Sequence, residues 1–389
     1  MKKIVYIVWA IVIFSLPGCK RTLIKKELYG RQVDMENFVR ERETKHLAEI
    51  YYEHGNFINS PAFPPVISPA EVYKHLNDWL IIDLRSQEAY EAGHINGAYR
   101  VDKKDVLDFL KTKEKAAAYD KVIFVCYSGQ TASYVTGVTR FAGFDNTYAM
   151  LFGMAGWNEQ FADPVKKGFG DRYPEMLEKG TYESGIPEGS EHELLHAKID
   201  ISKLPPLPKT SPSILLDNRA HKLLSLERPA FLLKDEEYFP ALKRNLDTFY
   251  SVFYIDKAKY YVAHVKGSHQ FTPRKDLSLD ARLTELPVDK PVVIYCKTGH
   301  TGGHTAAYLG MMGYDAKNLI FGAAGFMYSL WKEKGWLPDV SYYIHNFPVI
   351  EGKKRFSGNA AALKPVKKKA PVKIAVPKRK KKEVTGGCG

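Results

Sequence analysis

Cysteine is scarce in this chain, four residues in 389, at positions 19, 126, 296 and 388. An even count invites a disulfide reading, but Cys126 and Cys296 hold equivalent places in two similar stretches, which argues against a bridge between them. The four are also too dispersed for a zinc site, and no His/Cys cluster has ligand spacing, so no metal centre is expected. No organic cofactor is implied either. Long apolar runs are missing too. The run at residues 4–16 holds 13 residues, too short to span a bilayer comfortably. Acid is nearly absent from the C-terminus. Residues 353–389 carry 13 Lys and Arg against a single acid, Glu383, which is +12 of the net +13. The body is therefore near neutral, and nucleic-acid binding by it is not expected. The tail is Lys-, Ala- and Pro-rich, with too few large apolar side chains to offset the entropy of ordering. It is expected to be disordered and to contact anionic lipid or an acidic partner.

What is present starts at the N-terminus. Lys2 and Lys3 precede the apolar run, which ends in Leu16-Pro17-Gly18-Cys19. This resembles the lipobox of bacterial lipoprotein signal peptides. The resemblance implies that residues 1–19 are a signal peptide ending at Cys19, and that Cys19 carries a lipid anchoring the chain in the cell envelope. Lys20 in place of Asp implies the outer membrane in a Gram-negative cell. Residues 20–65 read as a polar, helix-leaning spacer.

One stretch occurs twice, KVIFVCYSGQTAS at 121–133 and PVVIYCKTGHTGG at 291–303. Each is an apolar β-rich run, a cysteine (Cys126 or Cys296), a small-residue turn and a helical segment. A strand that delivers a cysteine to a tight loop opening a helix surrounds the sulfur with inward amides and a helix N-terminus. That arrangement is expected to lower the thiol pKa and make both cysteines nucleophiles. The candidate binding loops are Tyr127, Ser128, Gly129, Gln130, Thr131 and Ala132 in one copy. In the other they are Lys297, Thr298, Gly299, His300, Thr301 and Gly302.

Other landmarks recur. Asp83 and Arg85 close the strand-like WLIIDL, and Asp217 and Arg219 follow Ile214-Leu215-Leu216. His94 and His264 each stand 32 residues before their cysteine. These six are read as supporting groups that fix strand ends and turns. The pattern gives two domains, 66–163 and 204–338, joined by a linker at 164–203 and followed by an extension at 339–389. Because Asp217 lies much further from its histidine than Asp83 does, the second domain is expected to carry an insertion at about 220–262. Alternation of strands and helices predicts α/β domains with a mostly parallel sheet.

Together the Asp-x-Arg strand, the Gly-His-Ile-Asn-Gly-Ala turn, the cysteine loop and the closing Phe-Gly-x-x-Gly-aromatic are similar to the rhodanese family in tandem. The resemblance implies two three-layer α/β/α domains and a sulfurtransferase. Its cysteine takes sulfane sulfur (or a related chalcogen) from a donor, holds it as a persulfide and passes it to a thiol acceptor. The family's loop arginine, five residues after the cysteine, is replaced by Thr131 and Thr301. An oxyanion donor therefore has no guanidinium in the loop, and a cysteine phosphatase lacks its phosphoryl clamp. Lys297 and His300 are the cations left, so Cys296 is expected to be the faster site. A flexible tail of about 38 residues reaches roughly 30–35 Å, enough to make Cys388 a swinging sulfur acceptor. The rival reading is a pair of non-catalytic binding modules for an oxyanion or a protein at the membrane.

Overall fold

A computed structural model of the chain describes residues 26–28, 31–33, 57–113, 116–180, 212–277 and 281–355. The chain divides into two compact units, residues 1–43 and 44–389. In the first, strands β1 (Lys26–Leu28) and β2 (Arg31–Val33) pair antiparallel. The helix-leaning stretch of the spacer, residues 35–53, follows them in sequence and lies outside the described residues. Cys19, Cys388, residues 181–211 and the tail beyond 355 lie outside the described residues. Among the described residues no helix is long and apolar enough to cross a membrane.

The second unit holds two parallel five-stranded sheets. In the first domain the strands are β3 (Val66–Ile67), β4 (Leu80–Asp83), β5 (Tyr99–Arg100), β6 (Val122–Val125) and β7 (Thr147–Met150), in the order β3-β7-β6-β4-β5. The central strands β4 and β6 are buried at every residue. That is why they read as continuous apolar runs rather than alternating ones. Helices α1 (Pro69–Lys74) and α2 (Gln87–Glu91) start at serine caps, Ser68 and Ser86, whose hydroxyls accept the backbone N–H three residues on. Helix α3 (Gln130–Phe141) follows the cysteine loop.

Next along the chain come β8 (Leu177–Glu178) and helix α4 (Pro212–Ser225). The second sheet is built from β9 (Leu232–Leu233), β10 (Tyr250–Tyr254), β12 (His269–Phe271), β13 (Val292–Tyr295) and β14 (Ala316–Leu319), in the order β12-β10-β13-β14-β9. Helices α5 (Asp235–Arg244), α6 (Lys257–Val262) and α7 (His300–Met312) complete it. The order is that of the first sheet, strand for strand.

This register corrects two expectations. Ile214, Leu215 and Leu216, with Asp217 and Arg219, are not a strand end; they lie on α4. Leu215, Leu216, Ala220, Leu223 and Leu224 fall at helical spacing, and the last three are buried in the core shared by the two domains. The true counterpart of β4 is β10, which pairs with β13 as β4 pairs with β6. Tyr90 and Tyr260, His94 and His264, and Cys126 and Cys296 are each separated by 170 residues. The same shift carries Leu80 to Tyr250, so nothing is inserted between this strand and the cysteine. The residues assigned to an insertion are the end of α4 and the domain's own β9, α5, β10 and α6. The shift also places Phe253 where Asp83 stands and Ile255 where Arg85 stands, so the second copy lacks the Asp-x-Arg signature.

The two domains share one hydrophobic core, with Phe124, Tyr134 and Val138 from the first and Ile294, Ala307 and Met311 from the second. Helices α3 and α7 cross at its centre, and small residues let them approach. A Cβ on Gly137 would stand 2.6 Å from that of Ala307, and one on Gly303 would stand 2.9 Å from that of Ser133. The trailing segments are exchanged. After the first domain, the chain lays β8 antiparallel on β11 (His264–Val265), and Gly170 N–H donates to Ala324 O at 3.0 Å. After the second domain, Phe347 N–H donates to Trp157 O at 3.1 Å, and Ile350 exchanges backbone bonds of 2.9 Å with His94. The contacts are reciprocal, as across a two-fold axis.

Candidate active site

Strand β6 ends at Val125 and delivers Cys126 into a loop that turns at Gly129, φ +80°, the cap of α3. Strand β13 delivers Cys296 into a loop that turns at Gly299, φ +82°, the cap of α7. Only glycine adopts this left-handed backbone without strain. Ala132 N–H points at Cys126 Sγ at 3.4 Å, and Gly302 N–H points at Cys296 Sγ at 3.2 Å. The amides of Ser128, Gly129 and Thr131 also act on Cys126; those of Thr298 and Gly299, with the Thr301 hydroxyl, act on Cys296. Each sulfur therefore sits in a nest of N–H groups.

The loop's outer carbonyls are held from behind. Met154 N–H donates to Cys126 O at 2.8 Å and Ala155 N–H to Tyr127 O at 3.0 Å. In the second copy Ala323 N–H donates to Cys296 O at 2.8 Å and Ala324 N–H to Lys297 O at 2.9 Å. This is what the Phe-Gly-x-x-Gly motif does. Phe152 and Phe321 take positive φ, 56° and 63°, and a Cβ on Gly153 or Gly322 would collide with the cysteine carbonyl. With its carbonyls fixed outward, the loop turns its amides inward.

Electrostatics correct one expectation. Cys126 and Cys296 are only 4% and 2% exposed, and burial pushes both thiols up. The nest amides pull the other way without overcoming it. In the resting loop both sulfurs are protonated at neutral pH, and both are free of any disulfide.

The loop side chains divide into two groups. Tyr127 is exposed at the first site, its hydroxyl 3.4 Å from Ser86 Oγ. Lys297 is half-buried beside Cys296, and its pKa is lowered by burial first and by the like charge of Lys259 second. Ser128, Thr131, Thr298 and Thr301 are half-buried, and Gly129, Ala132, Gly299 and Gly302 are buried or nearly so. Gln130 and His300 instead reach from their own loops into the other domain. Gln130 Nε2 donates to Thr298 O at 3.1 Å, and Phe321 N–H donates to Gln130 Oε1 at 3.4 Å. Phe152 N–H donates to His300 Nε2 at 3.1 Å. An accepting Nε2 places the ring proton on Nδ1, which faces Thr298 Oγ1 at 3.1 Å. Burial takes the His300 pKa down to about 3, so it is neutral and is not the cation expected at the second site.

The supporting residues hold structure. Arg85 Nε and Nη2 donate to Asp83 at 3.0 and 2.7 Å, and Nη2 also donates to Gly93 O at 2.6 Å. His94 stacks on Tyr90 with centroids 3.7 Å apart and bonds its carbonyl through Nδ1 at 2.9 Å. His264 repeats this on Tyr260 at 3.8 and 3.0 Å. Asp217 pairs with Lys111 on the surface of α4, and Arg219 is partly exposed on the same helix. Among the described residues, no group of three or more His, Cys, Asp or Glu is placed to hold a metal. Sequence reasoning missed the roles of Phe152 and Phe321, and missed that Gln130 and His300 cross the boundary. The available signal was the run of small residues beside them, Gly302-Gly303 and Ala132-Ser133, which marks close packing.

Comparison with known protein families agrees with this geometry. The family description "rhodanese-like domain" matches residues 68–160 and 247–329. Thiosulfate sulfurtransferase GlpE of Pseudomonas fluorescens (strain SBW25) is 29% identical over 89 residues, 23% of this chain and 79% of that protein. GlpE of Pseudoalteromonas translucida (strain TAC 125) is 29% identical over 91 residues, 23% of this chain and 83% of that protein. Among solved structures, a thiosulfate sulfurtransferase from Pseudomonas aeruginosa is 14% identical with a TM-score of 0.22, covering 76% of this chain and 45% of that one. A rhodanese-like domain protein from Staphylococcus aureus is 21% identical with a TM-score of 0.20, covering 24% of this chain and 90% of that one.

Proposed function

The chain carries two rhodanese-like domains, and on that premise we propose that it transfers sulfane sulfur through persulfides on Cys296 and Cys126. The observation that carries this reading is the duplicated nest, with Gly302 N–H 3.2 Å from one sulfur and Ala132 N–H 3.4 Å from the other. Once the thiol gives its proton to solvent, the thiolate attacks the outer sulfur of a donor. With thiosulfate, the new S–S bond forms as the donor's S–S bond breaks, and sulfite leaves with the electron pair. An acceptor thiolate then attacks the outer persulfide sulfur, and the cysteine leaves as a thiolate. The nest amides stabilise the sulfur anion in both steps.

Thiosulfate is the first donor to try, because the curated relatives are thiosulfate sulfurtransferases by name. Thr131 and Thr301 stand where an arginine would hold the sulfonate, and His300 is neutral. Lys297 is then the cation that favours Cys296. The wider setting belongs to the proposal: a lipid on Cys19 in the cell envelope, a basic tail against anionic lipid or an acidic partner, and Cys388 as an acceptor. A second reading, a pair of binding modules with passenger cysteines, draws on the near-complete burial of both sulfurs.

Intact mass of the chain lacking residues 1–19, after thiosulfate and separately polysulfide, tests the proposal. Cys126→Ser, Cys296→Ser and Cys388→Ser variants run beside it. The expected result is one added sulfur per working loop, lost in the matching variant and discharged by cyanide or a thiol. No adduct with either donor on folded protein overturns it in favour of the binding modules.

A further inference from the structure

The fourth residue after each cysteine serves the opposite domain. Gln130 opens α3 in the first domain, yet its side chain is buried against the second. Its Nε2 donates to Thr298 O at 3.1 Å. Its Oε1 accepts from Asn318 Nδ2 at 3.3 Å and from Phe321 N–H at 3.4 Å. Thr298 O belongs to the peptide unit that ends in Gly299 N–H. In a planar trans peptide the carbonyl and the N–H point in opposite directions. Gly299 N–H is one of the amides acting on the Cys296 sulfur. Gripping the carbonyl from outside therefore keeps the N–H aimed inward. The second grip, on Phe321, lies at the start of the turn whose amides hold the carbonyls of Cys296 and Lys297.

The counterpart is unequal. His300 makes the equivalent contact with Phe152 N–H at 3.1 Å, but its other nitrogen stays in its own loop, on Thr298 Oγ1. Among the described hydrogen bonds, Ser128 O receives only Gln130 of its own loop, at 3.4 Å. The first domain thus supports the second domain's sulfur through two grips, and receives one in return.

We propose that Gln130 is a positioning residue for Cys296, acting across the domain boundary to aim the amide field of the second loop at its sulfur. The inference rests on reading Cys296 as the working nucleophile. It makes the first domain a part of the second domain's site, whatever chemistry Cys126 performs.

The test is iodoacetamide alkylation of each cysteine in the full chain, resolved by peptide mass spectrometry, across a pH range spanning the free-thiol value of about 8.5. Two variants are compared with the parent. Gln130→Met is unbranched and keeps the bulk, and Gln130→Leu fills the site with another shape; both lose every grip. Weakening one amide aimed at a sulfur anion raises the Cys296 pKa by about one unit, a tenfold slowing below the midpoint. The midpoint for Cys296 is expected to move up while its high-pH plateau stays. The profile of Cys126, in the same chain as the substitution, is expected to move less. An unmoved Cys296 midpoint in a folded variant, or an equal shift at both cysteines, overturns the proposal. If Gln130→Met does not fold, Gln130→Leu decides alone. Alkylation needs no sulfur donor, so a protein that forms no persulfide would fail the functional reading without touching this one.

Discussion

Replacing Arg85 by Met should cost far more than replacing both members of its ion pair. The Arg85 side chain is fully buried and Asp83 is 1% exposed. The guanidinium donates to Asp83 Oδ2 at 2.7 Å and spends a second bond of 2.6 Å on Gly93 O. In Arg85→Met the carboxylate keeps the backbone N–H of residue 85, at 3.0 Å, and loses its counter-charge. A buried charge stripped of its partner costs about 3–5 kcal/mol. In Asp83→Leu/Arg85→Met no charge is buried; Gly93 O is left short as in the single variant, and the N–H of residue 85 loses its acceptor, at about 1 kcal/mol. The second domain already holds an apolar pair at these sheet positions, Phe253 and Ile255, both buried. The double variant should therefore be more stable than the single one by about 2–4 kcal/mol. Urea unfolding followed by far-UV circular dichroism, read as midpoint shifts at a common slope, measures the difference. A cost below about 1 kcal/mol for Arg85→Met alone, or a double variant no better than the single, refutes the reasoning.

The protein should lose stability in acid through its buried histidines. Burial takes His300 and His304 down to about 3, against 6.5 for a free ring, so between those values the unfolded chain binds more protons. Their contribution is complete above pH 6.5 and falls as the pH drops, by about 1.4 kcal/mol per pH unit for each ring. His300→Gln, which copies Gln130, should remove one proton from that slope; an unchanged pH–stability curve would count against a neutral His300. At the helix crossing, Gly137→Val places methyl groups where even a Cβ stands 2.6 Å from that of Ala307. It should cost about 1–3 kcal/mol by overpacking, seen as a lower melting temperature, and a variant melting with the parent would mean the helices are not held that close.

The parts of the fold that are legible in the sequence are those where one local pattern has one cause. Val122–Val125 and Val292–Tyr295 are apolar at every position because a central parallel strand is covered on both faces. The cysteine, the glycine turn and the Phe-Gly-x-x-Gly closure recur because backbone geometry demands them at both sites. The Asp-x-Arg pattern misplaces the second domain's counterpart of β4, because it marks a buried ion pair that an apolar pair replaces there. The strand's position is nonetheless recoverable. The 170-residue shift that joins His94 to His264 and Cys126 to Cys296 also carries Leu80 to Tyr250, and the leucine spacing after Pro212 is helical.

The site is legible in its identities and not in its electrostatics. A cysteine at a helix N-terminus among glycine amides predicts a lowered pKa only if the sulfur stays in contact with water. Here both sulfurs are almost wholly buried, and desolvation outweighs the amides. Nor does a single loop show where its own side chains go. His300 reads as a cation beside Cys296, but the crossing of α3 and α7 carries it into the first domain, where it must be neutral to accept Phe152 N–H. The crossing that empties the second loop of His300 fills its back with Gln130. What each loop loses as a binding group, the opposite loop gains as a support, so the repeat acts as one site-building unit rather than as two copies of a domain.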